Sequence, residues 1–110
     1  MTTAWLALGG AIALEIMSTL SLRSLAAGWQ PLATVGVVVG YVGAFSCLAL
    51  ALRGLNVGAA YAIWSGVGTA GITLLAAVLY DERITLVAAG GIGLIVAGVV
   101  LLTIGGATHG

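Results

Sequence analysis

The sequence predicts an all-α membrane protein of four transmembrane helices, and three observations carry that prediction. Of 110 residues, 62% are hydrophobic and only 5% are charged. A soluble domain of this size has too little interior to hide so much apolar surface. The apolar residues gather into four runs, residues 4–22, 32–52, 57–80 and 84–105, each long enough to span a hydrocarbon core. Between the runs lie only short polar interruptions. Connections this brief join antiparallel neighbours, so residues 1–110 read as a single four-helix domain with almost no mass outside the bilayer. The expected location is the cell's inner (plasma) membrane, crossed several times.

The first run, Ala4–Leu22, contains one charged residue, Glu15, near its middle. No basic residue precedes it and a carboxylate interrupts it, so it does not read as a cleaved signal peptide and is expected to stay in the protein. Arg23 to Pro31 form the first connection, and Pro31 suits a helix start, where its missing N–H costs nothing. The second run, Leu32–Leu52, carries Tyr41 almost halfway along and Gly36 with Gly40 as a GxxxG pair. Arg53-Gly54-Leu55-Asn56 lead into the third run, Val57–Tyr80. Its Gly66-Val67-Gly68 is not a phosphate loop, because it lies inside an apolar span with no basic residue beside it. After Asp81-Glu82-Arg83, the fourth run, Ile84–Gly105, repeats glycine every seven residues at Gly91, Gly98 and Gly105. Such a seam lets helix backbones approach closely in lipid, within one subunit or between two. Trp5 and Trp29 lie at segment ends and read as membrane-interface belt residues.

Several function classes drop out. Net charge is zero and there is no basic patch, which removes nucleic acid as a partner. Cys47 is the single cysteine and no Cys/His cluster suggests a metal; His109 reads as a solvated tail residue. With no soluble catalytic or nucleotide-binding domain, neither an enzyme nor a resident cofactor is expected.

The loop charges are nearly balanced. Arg23 and Arg83 fall on one side of the membrane, Arg53 and the α-amino group on the other. Orientation follows the Lys/Arg imbalance of short loops, so two readings stand: insertion in both orientations, or one orientation decided by a single arginine.

The chemistry centres on Glu15. Helical spacing places Leu8, Ala11, Glu15, Ser18 and Thr19 on one face of the first segment, and Tyr61, Trp64 and Gly68 on one face of the third. An intramembrane carboxylate is a functional-site hypothesis by default. With mid-membrane aromatics it makes a site for an organic cation, the carboxylate supplying charge and the rings π-faces. An acid that releases its proton when a cation arrives and regains it when the cation leaves is an exchanger in one residue. The bland readings are a permanently protonated acid bonded to a neighbouring helix, and aromatics that merely pack. Ser46, Ser65 and Thr69 are expected to bond their own helix backbone.

At these residues the chain resembles the small multidrug resistance family. Ala60-Tyr61-Ala62-Ile63-Trp64-Ser65-Gly66-Val67-Gly68 is similar to the family's third-helix signature, and Gly9-Gly10-Ala11-Ile12-Ala13-Leu14-Glu15 to the pattern around its essential glutamate. Thr19 follows at the family spacing, Tyr41 falls on the second-helix tyrosine, and Gly91 to Gly98 on the fourth-helix dimerisation seam. The resemblance implies a proton-coupled antiporter that exports lipophilic, quaternary ammonium-type cations and works as an antiparallel homodimer in membrane lipid. It implies that Glu15 carries protons and cations, with Ala11, Ser18, Thr19, Tyr41, Tyr61 and Trp64 around the chamber. It also implies a helix kink at Gly66 and Gly68, and a dimer seam at Gly91, Gly98 and Gly105.

The chain departs from the family pattern at Ser18, where drug exporters commonly have glycine and the guanidinium subtype has tryptophan. Ala44 replaces a serine, Ser46 an aromatic, and Arg23 a lysine. The alternatives are export of guanidinium or a polyamine, and one half of a pair of unlike subunits. A rotary-ring proteolipid fits less well, since it usually has two helices per acid, and a scaffold without transport would leave Glu15 dispensable.

Overall fold

The computed structural model describes residues 2–106; His109 lies outside them. The chain forms α1 (Thr2–Ala27), α2 (Pro31–Ala51), α3 (Val57–Tyr80) and α4 (Leu86–Ile104). At 1.5 Å per residue these run from about 29 to about 39 Å, so all four are long and apolar enough to cross a membrane.

The ends differ from the hydropathy limits for identifiable reasons. α1 continues past Leu22 to Ala27. Hydropathy marks where the apolar run stops, whereas Arg23, Leu25, Ala26 and Ala27 are good helix formers, and arginine can extend its charge toward the interface. The Gly28 N–H still donates to the Ser24 carbonyl at 3.3 Å before the helix ends. Gln30 is extended, as the residue before a proline must be, and Pro31 opens α2. α3 keeps its expected limits and stops at Asp81, whose φ of 57° is left-handed, a conformation that aspartate tolerates. α4 begins at Leu86 rather than Ile84 because Thr85 caps it, its hydroxyl accepting the Ala88 N–H at 3.0 Å.

The chain divides into two compact units, Met1–Gly54 and Leu55–Gly110. The first is an antiparallel hairpin of α1 and α2. Ala4, Ala11 and Ser18 are buried at seven-residue intervals on α1, as are Val37, Ala44 and Ala51 on α2. Glycine positions give the register. A Cβ on Gly54 would lie 2.8 Å from the Ala4 Cβ, one on Gly10 3.7 Å from the Cys47 Sγ, and one on Gly43 3.1 Å from the Leu14 Cδ1. At Gly40 it would overlap the Ser18 hydroxyl. Small residues thus let the two backbones close up, where packing rather than water drives association. The GxxxG pair is split: Gly40 serves this contact, while a Cβ on Gly36 would meet nothing within 4 Å.

The second unit joins α3 and α4. A Cβ on Gly66 would lie 3.0 Å from the Ile95 Cγ2 and 3.6 Å from the Val99 Cγ2, beside a groove of about 460 Å³ lined by Ser65, Thr69 and Gly98. α3 buries Ala59, Ala60, Ile63, Gly68, Ala70 and Ala76, but α4 buries no residue. Leu86, Leu94 and Ile104 of α4 are 93%, 76% and 77% exposed, side chains suited to lipid. On the glycine seam, a Cβ at Gly91 or Gly98 would meet nothing within 4 Å, so neither glycine is required for close packing between described parts of this chain. Ser46, Ser65 and Thr69 bond their own helices as expected, to the carbonyls of Val42, Tyr61 and Ser65 at 2.7, 2.8 and 2.6 Å.

Candidate functional site

Glu15 sits half-buried on α1, with Thr19 one turn further on the same face. The Thr19 hydroxyl donates to the Glu15 Oε1 at 2.9 Å. From α2, the Tyr41 hydroxyl reaches the same Thr19 Oγ1 at 2.6 Å. Carboxylate, threonine and tyrosine therefore form one chain of hydrogen bonds across the hairpin. The register brings Tyr41 there: Gly40 abuts Ser18, and the next residue on each helix is Tyr41 and Thr19.

The other α1 candidates occupy the packed side. Ala11 is fully buried and Ser18 is only 3% exposed. Ala44 of α2 is fully buried too. In the second unit the Tyr61 and Trp64 rings meet edge to face, centroids 5.6 Å apart at 67°. Tyr61 is largely exposed, Trp64 half-buried and Gly68 buried. Within the first unit Thr19 touches both Glu15 and Tyr41, and within the second Tyr61 touches Trp64.

Glu15 has no fixed counter-charge in the apolar runs. The three basic side chains are Arg23, Arg53 and Arg83, all at or beyond the ends of those runs, and the remaining acids, Asp81 and Glu82, follow α3. Thr19 supplies a neutral dipole, which orients the carboxyl without neutralising it. A carboxylate left ionised within an apolar span is costly unless a positive charge meets it. Gly40 is the residue that sequence reasoning undervalued. Its GxxxG spacing drew attention to α2 alone, whereas its importance lies in facing Ser18 on α1.

A sequence model described as Small Multidrug Resistance protein matches residues 3–95. The chain belongs to the small multidrug resistance family. Relatives of this family member include a multidrug transporter of Pseudomonas aeruginosa, 47% identical over 91% of each chain. The quaternary ammonium compound-resistance protein QacE of Escherichia coli is 43% identical over 91% of each chain. The multidrug resistance protein Mmr of Mycobacterium tuberculosis is 42% identical over 88% of this chain and 92% of its own. Family membership and four apolar helices make this a multi-pass transporter of the bacterial inner membrane, in a family named for multidrug resistance. The relatives' names describe transport and resistance, not an enzymatic conversion.

Proposed function

We propose that this family member is a proton-coupled antiporter exporting lipophilic, quaternary ammonium-type cations, with Glu15 as the site that protons and cations share. The observation that supports it most is that Glu15 is the one ionisable carboxylate inside the apolar runs, with no Lys or Arg among them to neutralise it. A cation and a proton each satisfy that charge, and one carboxylate does not hold both. Binding of one therefore displaces the other, which couples their opposed movements. The resistance protein QacE, named for quaternary ammonium compounds and 43% identical, supports that substrate class.

In this reading Tyr41, Tyr61 and Trp64 offer rings to the cation, and Ala11, Ser18 and Thr19 shape the wall beside Glu15. Gly66 and Gly68 soften α3 for the change of facing. Two chains inserted in opposite orientations enclose the chamber, joined along Gly91, Gly98 and Gly105, two of which have open space beside them in this chain. Reconstitution into liposomes tests the core of it. Glu15→Gln abolishes efflux driven by a pH gradient, because an amide neither releases a proton nor supplies charge. Glu15→Asp stays partly active with an altered pH profile, since the acid survives with a shorter reach. Wild-type, proton-driven rates in Glu15→Gln would sink the mechanism.

A further inference from the structure

A threonine hydroxyl has one proton to give and two lone pairs to offer. Thr19 touches two partners, Glu15 at 2.9 Å and Tyr41 at 2.6 Å, so it donates to one of them and not to both. When Glu15 is ionised its oxygens only accept. Thr19 must then donate to Glu15, and the Tyr41 hydroxyl must donate to Thr19. When Glu15 carries a proton, that proton can point at the Thr19 Oγ1; Thr19 then donates to Tyr41, and the Tyr41 proton is freed for another acceptor. The only changes are the proton on Glu15 and the rotation of two hydroxyls.

We propose that Tyr41 acts on Glu15 through Thr19, as a two-link hydroxyl relay whose donor direction follows the charge of the carboxylate. Thr19 is a positioning residue here: it hands the Tyr41 dipole to Glu15 and holds the carboxyl in one place on α1. The inference rests on Glu15 being the shared proton and cation site. It adds that the tyrosine hydroxyl works separately from the tyrosine ring. Its geometric basis lies wholly within the first hairpin, where the Ser18 and Gly40 contact sets the spacing of Thr19 and Tyr41.

A double-mutant cycle on the full-length protein in lipid nanodiscs tests it, with benzyltriethylammonium as the probe. Thr19→Val keeps shape and removes the hydroxyl; Tyr41→Phe keeps the ring and removes the hydroxyl. A hydrogen bond to a charged group is strong enough that Thr19→Val should weaken binding roughly tenfold. Tyr41→Phe should weaken it about threefold, and should add nothing in the Thr19→Val background. Thr19→Ser should return affinity to within about twofold of wild type. The infrared C=O band of protonated Glu15, assigned by its loss in Glu15→Gln, should shift in both single variants and shift no further in the double variant. Additive losses, a silent Tyr41→Phe, or a Thr19→Ser as weak as Thr19→Val would each overturn the relay. Those results leave the shared site intact, whereas wild-type coupled transport by Glu15→Gln removes the reading beneath it.

Discussion

Ser18 of α1 and Gly40 of α2 meet so closely that a Cβ on Gly40 would overlap the Ser18 hydroxyl and lie 3.2 Å from the Ser18 Cβ. This contact pins the hairpin beside Glu15. Gly40→Ala must therefore turn the serine hydroxyl or spread the helices. Overpacking of this kind costs about 1–3 kcal/mol. Thermal unfolding in detergent should show the loss, and cation affinity should fall with it as Thr19 and Tyr41 separate. Ser18→Gly in the same chain should recover most of both. A Gly40→Ala protein as stable as wild type would show that the approach is not needed.

Cation binding should release protons and weaken as pH falls. A ligand that takes only the ionised carboxylate competes with protons by linkage, so the sign is fixed: more protons, less binding. Calorimetry in buffers of different ionisation heat reads the released protons directly. Heats that ignore the buffer, together with constant affinity from about pH 5 to 9, would count against competition.

Trp64 and Tyr61 already engage each other edge to face. Trp64→Ala should weaken planar aromatic cations more than Trp64→Phe does, since a π-face worth about 1–2 kcal/mol is lost. Equal and unchanged affinities in both variants would assign Trp64 to packing alone.

The short connection at Gly28, Trp29 and Gln30 is the place to bias orientation. Two added lysines there should drive every copy one way, because positive short loops stay cytoplasmic. Activity should collapse, and return on co-expression with a version biased the opposite way. With Cys47→Ser removing the native thiol, new loop cysteines report sidedness. Labelling of each loop from one face only, in an active wild type, rules out dual insertion and with it an antiparallel homodimer.

Hydropathy alone located the four helices, because each must bury a continuous apolar length in lipid. It misplaced the end of α1 because Arg23 interrupts an apolar run without interrupting a helix. It also missed Thr85, whose capping bond depends on hydroxyl geometry rather than polarity. The helical spacing of Glu15 and Thr19 was legible, being one turn on one helix. The link from Thr19 to Tyr41 was not, because it depends on the register of two helices across 22 positions of sequence. Small residues at 18 and 40 were the available signal, and one sequence does not say that they face each other.

α4 has neither a buried residue nor a charged one between Leu86 and Ile104. A segment so uniformly apolar can partition into the bilayer without waiting for its neighbours, unlike α1, which must bring Glu15 in with it. The residence of α4 in lipid thus rests on its own composition, while its place in the fold rests on the contact of Ile95 and Val99 with α3 beside Gly66. Its outer face, with Leu86, Leu94 and Ile104 exposed, is left to lipid or to a further helix.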